Sequence, residues 1–188
     1  MNIYRLKPIE NSVEVADFSL LEFAEVLGDN DLSLVRSQPR TNASLAANWR
    51  PTSCNLAPAY KKGHAIPDVS YWGSYLLMSS SAYELFRAQL EHDGEFLPIN
   101  VEGNNMFIFI PLTFGKEDFS RTVKHYEDGY ECGLELLTFD NASVANKLIF
   151  KSQLYGTHAL FATEQFKLAF ERAGLAGIEF DTDLANIF

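Results

Sequence analysis

Few residues in this chain combine type and spacing in a way that suggests chemistry. Asp118 and Ser120 lie two apart beside Glu117, in a polar stretch from Lys116 to Glu131. Neighbouring carboxylates can divide acid and base work, and a nearby hydroxyl can act as a nucleophile. Turn formation explains the trio more economically, because Asp and Ser hydrogen-bond their own backbone. Ser79-Ser80-Ser81 follows an apolar strand and precedes a helical stretch. A nucleophile can sit at such a junction, but a helix cap needs the same residues. Cys132 with His125 would make a thiol–imidazole pair, yet Cys132 falls in an alternating segment and reads as a small core residue.

The remaining patterns give less. His64, His92, His125 and His158 are scattered, with no pair at i, i+4, and with Cys54 and Cys132 they fit no zinc framework. There is no phosphate loop, Gly-rich dinucleotide turn or nucleophile elbow. Tyr60-Lys61-Lys62-Gly63-His64 is basic with an aromatic neighbour, but too short to hold nucleic acid. Asp181 and Asp183 read as a solvated tail. The expectation is no catalytic residue, no metal and no cofactor.

These residues must be positioned by one domain spanning 1–188. Ala159–Ala162 reads as a strand, Thr163 as a helix N-cap, and Phe166, Ala169, Phe170 and Ala173 as one apolar stripe. Gly174 falls where a left-handed stop is wanted, Leu175 can fold back on the stripe, and Ile178 and Phe180 share a face of a closing strand. Tyr75–Ser79, the helix Ala82–Leu90 with its stripe Ala82, Tyr83, Phe86 and Leu90, and Glu95–Val101 repeat that outline. Pro98 inside the last of these predicts an edge strand or a bulge.

Earlier in the chain, Asn2–Leu6 reads as a strand. Asp17–Leu27 reads as a helix with stripe Leu20, Phe23, Ala24 and Leu27, stopped by Gly28. Leu32–Arg36 reads as a short strand. Ser37 to Gly73 reads as a long connection packed through Trp49, Leu56, Tyr60 and Trp72, broken by a short helix around Ala43–Trp49. Gly103-Asn104-Asn105 reads as a hairpin turn before the strand Met106–Leu112. Glu131–Phe139 alternates like a strand. Ala142–Asn146 reads as a turn or brief helix, and Leu148–Phe150 as a short strand. Hairpins beside strand–helix–strand units predict an α+β fold with a mixed, mainly antiparallel sheet.

The composition is that of a globular chain, 47% hydrophobic with 15 Phe. Two cysteines are too few for a disulfide framework, the first residues carry no apolar leader, and no run approaches a membrane span. The expected setting is the cytoplasm, without membrane contact. The net charge is −10, which disfavours nucleic acid as a partner. That charge is uneven. Residues 34–90 hold six Lys/Arg against two Asp/Glu, a net of +4, and residues 91–140 hold eleven Asp/Glu against three Lys/Arg, a net of −8.

The order of motifs resembles a known family. Pro67-Asp68, LLMSSSAYELF (Leu76–Phe86) and GEFLPINV (Gly94–Val101) are similar to immunity protein family 11. So are Asp118-Phe119-Ser120, the step Leu148–Lys151, the strand Leu160–Thr163 and the ending Ala173–Phe180, with Ala176 where that family has Thr. The family was first a bacterial domain of unknown function and was later assigned to polymorphic toxin systems. The likeness makes 67–188 the family core and 1–66 its variable part. It implies an antitoxin that binds and blocks a cognate toxin protein, with no catalytic residue.

Many toxin tips act on nucleic acid and are basic, so an acidic face suits their capture. The stretch Lys116–Glu131 offers Glu117, Asp118, Glu127, Asp128 and Glu131 with the aromatics Phe119, Tyr126 and Tyr130. With the turn at Gly103–Asn105 it is the expected toxin-binding face. The competing expectations are a small hydrolase using Asp118 with Ser120 or Glu117, and a homodimeric scaffolding or regulatory domain.

Overall fold

The computed structural model describes residues 1–185. In chain order the elements are β1 (Ile3–Pro8), β2 (Ala16–Asp17), α1 (Leu20–Leu27), α2 (Ser33–Thr41), β3 (Thr52–Leu56) and α3 (Pro58–Lys61). Then come β4 (Val69–Trp72), β5 (Tyr75–Ser79), α4 (Ser80–Leu90), β6 (Gly94–Val101) and β7 (Asn104–Pro111). The chain continues through β8 (Val123–Glu127), β9 (Tyr130–Leu136), α5 (Asn141–Val144), β10 (Ile149–Ser152), β11 (Gly156–Thr163), α6 (Glu164–Arg172) and β12 (Ile178–Asp181). The fold is α+β, and its strand pairing is antiparallel everywhere except between β3 and β6.

One sheet has the order β10-β11-β1-β12 and another β2-β3-β6-β7-β5-β4, while β8 and β9 pair only with each other. The segments β5-α4-β6 and β11-α6-β12 are both split strand–helix–strand units. Each helix returns the chain parallel to its first strand, with one strand (β7 or β1) between. The two units share a core. Leu76, Met78 and Phe109 from the larger sheet, Leu6, Leu160 and Ile178 from the smaller, and Phe86 and Phe166 from the two helices form one buried cluster. Phe86 and Phe166 meet with ring centroids 4.5 Å apart. The opposite face of the larger sheet packs under α1 and α2, and the opposite face of the smaller sheet packs on Phe139, Phe150 and Phe161.

The junction of the sheets is tightly specified. The Asp93 carboxylate, 2% exposed, accepts the backbone N–H groups of Leu148 and Ile149. Burial raises its pKa, and those two donors oppose the rise. Asp68 and Val69 donate to the Ala176 carbonyl. A Cβ on Gly177, at φ 124°, would stand 1.9 Å from the Val69 carbonyl oxygen, so only glycine fits there.

Most of the expected elements form where expected. A Ser19–Glu22 capping box opens α1 and left-handed Gly28 closes it, although Leu20 is exposed. Ser79 caps α4. Gly174 has φ 66°, and the Leu175 N–H returns to the Phe170 carbonyl. Thr163 stands at the N-cap of α6, but its hydroxyl donates to the Lys147 carbonyl instead of the helix; Ala173 is exposed.

Several expectations are corrected. Leu32–Arg36 is not a strand, because Asp29 and Asp31 bind the first N–H groups of α2 and commit the segment to a helix that buries Val35, Gln38 and Pro39. Ser37–Gly73 is not structureless, since it holds most of α2 together with β3, α3 and β4. Trp49, Leu56, Tyr60 and Trp72 do pack on the core as expected. The stretch at Ala43–Trp49 makes one turn and no helix, with Glu95 holding Ser44 and Leu45. Pro98 lies in an interior strand. Pairing with β3 begins at Ile99, and the Pro98 carbonyl takes the Trp49 indole N–H, so the absent amide costs no ladder bond. The turn after β6 is Glu102-Gly103, and Asn104 already belongs to β7. Asp181 is not a solvated tail, since it ends β12 and pairs with Lys7 at 2.6 Å.

Phe166→Ala should cost about 3–5 kcal/mol, the usual range for deleting a buried aromatic. Leu168→Ala, at a position 41% exposed, should stay within about 0.5 kcal/mol. Chemical denaturation of the two variants measures both values.

Candidate functional site

The polar stretch after β7 divides into two parts with different roles. Glu117 is only 6% exposed. Its carboxylate accepts from Ser152 Oγ at 2.7 Å, Gln153 N at 2.9 Å and Leu154 N at 3.1 Å. It is therefore an internal anchor and is withdrawn from the expected toxin-binding face. Asp118 folds its own turn. It accepts the Ser120 N–H and hydroxyl and Arg121 Nε, the last two at 2.6 Å. Ser120 and then Arg121 hold its carboxyl down at about 2. So weak a base cannot take a hydroxyl proton efficiently near neutral pH. With Glu117 committed elsewhere, the paired-carboxylate arrangement does not exist.

Beyond that turn the chain leaves the body. Thr122 and Thr138 exchange hydrogen bonds between hydroxyl, amide and carbonyl, and close the root of a hairpin. Residues expected to be irregular there form β8, which joins β9 through a two-residue turn with Asp128 and Gly129 both at positive φ. Among the described residues this arm has no third strand. Phe119 beside it is 69% exposed, Tyr126 57% and Tyr130 77%, with Val123 and Leu136 also exposed. Four carboxylates (Glu127, Asp128, Glu131 and Glu135) stand on it against Lys124. Lys124 pairs with Glu131 at 2.8 Å, which leaves Glu127, Asp128 and Glu135 to dominate the field, with His125 3.3 Å from Glu127.

The apolar alternation of β9 did not mark a buried face. Val123 pairs with Leu136 and Lys124 with Leu134, so Glu135 is an extra, bulged residue; Cys132 is extra in the same way between Gly133 and Glu131. The bulges throw Leu134 and Leu136 onto opposite faces. Leu134 reaches the core, whereas Cys132 is exposed and is not the small core residue expected. The turn at Glu102-Gly103 belongs to the larger sheet, where Glu102 pairs with Lys61. The arm is rooted on the smaller sheet's core, in the chain that follows the other end of β7.

The other candidates are structural. Ser79 accepts from Ala82 N and donates to Asp68, and Ser80 donates to the Asn105 carbonyl. Cys54 is half-buried, and burial, then Glu22 and Asp17, pushes its thiol up to about 11. Among the described residues no group of three or more His, Cys, Asp or Glu side chains could hold a metal ion. One pair escaped the sequence reading. His158 Nδ1 hydrogen-bonds Ser74 Oγ across 84 positions, a separation with no local signal.

No protein-family model matches the chain, and no curated protein is similar to it. Among the described residues no helix is long and apolar enough to cross a membrane.

Glu117→Ala should destabilise the fold by on the order of 2–3 kcal/mol, because the buried Ser152 hydroxyl and two part-buried backbone N–H groups lose a charged acceptor. Tyr130→Ala should leave stability within about 0.5 kcal/mol. A melting series of the two variants separates anchor from arm.

Proposed function

We propose that this chain is a binding protein that captures a basic protein partner on the β8–β9 arm. The observation that carries this reading is the arm itself. A two-stranded hairpin off the main sheets displays exposed Tyr126 and Tyr130, with Phe119 beside it and four carboxylates around them. Aromatic side chains are the usual interface anchors, and surrounding charges steer encounter more than they add affinity. Given the resemblance to immunity protein family 11, the reading becomes a cytoplasmic antitoxin whose cognate toxin is the partner. Asp118, Phe119, Tyr126, Glu127, Asp128, Tyr130 and Glu131 remain the proposed contact residues.

Two competing readings are weaker. A hydrolase at Asp118 and Ser120 would rest on a carboxylate held near 2. Homodimerisation through the free edge of β8 has one supporting observation, the regular and unpartnered strand. It would, however, bring two acidic arms together, and like charges oppose that.

The test is replacement of Glu127, Asp128 and Glu131 together by Lys, followed by stopped-flow association with a basic toxin protein that the wild-type chain binds. Association at low salt should slow by about tenfold or more and lose its salt sensitivity, with the melting curve nearly unchanged. Wild-type association by the triple variant would exclude the arm as the docking site. A folded Ser120→Ala chain that binds the toxin but no longer protects cells would favour the hydrolase.

A further inference from the structure

A second candidate site lies away from the arm. A cavity of about 400 Å³ opens where the start of α1, the middle of α2, the β4–β5 turn and one residue of β11 converge. That size is within the range of small-molecule sites. Its wall is aromatic. Phe18 stacks on Trp72 with centroids 5.5 Å apart and planes 22° apart, and Trp72 on Tyr75 at 6.0 Å and 30°. The polar atoms of the wall are already used: Trp72 Nε1 donates to the Phe18 carbonyl and the Tyr75 hydroxyl to Gln38 Oε1. Phe18, Trp72 and Tyr75 are 6%, 4% and 3% exposed, so the wall offers a visitor only the margins of these rings, beside Leu20, which is 48% exposed.

The polar groups around this wall differ in how far they are satisfied. Glu14 accepts the Gly73 N–H at 2.8 Å. His158 gives Nδ1 to Ser74, which orients the imidazole and leaves Nε2 for another partner. Arg36 is exposed, and among the described residues it makes no ion pair. The lining thus carries one fixed charge of each sign, and the negative one has an internal partner. An Arg guanidinium presents a planar fork of donors suited to a carboxylate.

We propose that this cavity binds a small amphipathic carboxylate, with its apolar body against the Phe18–Trp72–Tyr75 wall and its anionic head on Arg36 and His158. The site is independent of the arm, and a ligand there would not compete with the arm's partner. Glu14 selects for a single negative charge, because a second would face its carboxylate.

Two fluorescent probes of similar ring body test this in the full chain: anionic 1-anilinonaphthalene-8-sulfonate and uncharged N-phenyl-1-naphthylamine. Both should bind saturably at one site per folded chain. Arg36→Gln should weaken the anionic probe by about tenfold or more, the worth of one charge-assisted contact, and the neutral probe by less than about twofold. Glu14→Gln should tighten the anionic probe. Arg36 is exposed, so its variant folds, and a melting curve checks this. Absence of a saturable site for either probe would overturn the proposal. So would equal losses for both probes on Arg36→Gln.

Discussion

The projecting acidic arm depends on one buried carboxylate. Glu117 would be costly to remove from water alone, and three donors from the β10–β11 connection offset that cost. In doing so it pins the chain leaving β7 to the smaller sheet. Phe139, bridged to Glu117, brings the returning strand to the same place and sinks into the core beside Phe150 and Phe161. Between these fixed points the chain has twenty-one residues, Asp118 to Thr138, of which Leu134 and Leu137 reach the core and most of the others cover none. It pairs with itself. An isolated two-stranded ribbon is marginal in water, so the root at Glu117 and Thr122–Thr138 is what makes the arm a persistent shape.

The body that holds this root is unusually continuous for a chain with two sheets. The contact of Phe86 with Phe166 joins the two split units through their helices, and Asp93 joins them through the backbone. The N-terminal strand β1 lies inside the smaller sheet, between β11 and β12. Residues 1–66 are therefore part of the framework, and α1 and α2 roof the larger sheet. Lys151 shows how closely the parts are fitted. Its buried ammonium donates to the Pro39 carbonyl near the C-terminal end of α2, where a cation is favoured, while burial lowers its pKa to about 8.

Much of this was legible because the local code was complete. Where a stripe, a cap and a stop agree, as from Ser79 to Leu90 or from Thr163 to Gly174, the element forms as read. Some of the misreadings share a physical cause: a partner distant in sequence decided the outcome. Pro98 looks unfit for an interior strand until Trp49 takes its carbonyl. Glu117 looks like a surface acid until Ser152 and its neighbours surround it. Cys132 looked buried because two bulges in β9 are invisible to an alternation rule. The acidic, aromatic character of Phe119–Glu131 was readable as composition; that it is a freestanding ribbon was not.

Amide hydrogen exchange of the chain, alone and with the proposed basic partner, tests the arm most directly. The amides of residues 123–136 should exchange rapidly in the free protein, since the ribbon has no third strand and little burial, and should become protected in the complex. Protection confined to the larger sheet or the helices, with the arm still exchanging at its free rate, would contradict the account.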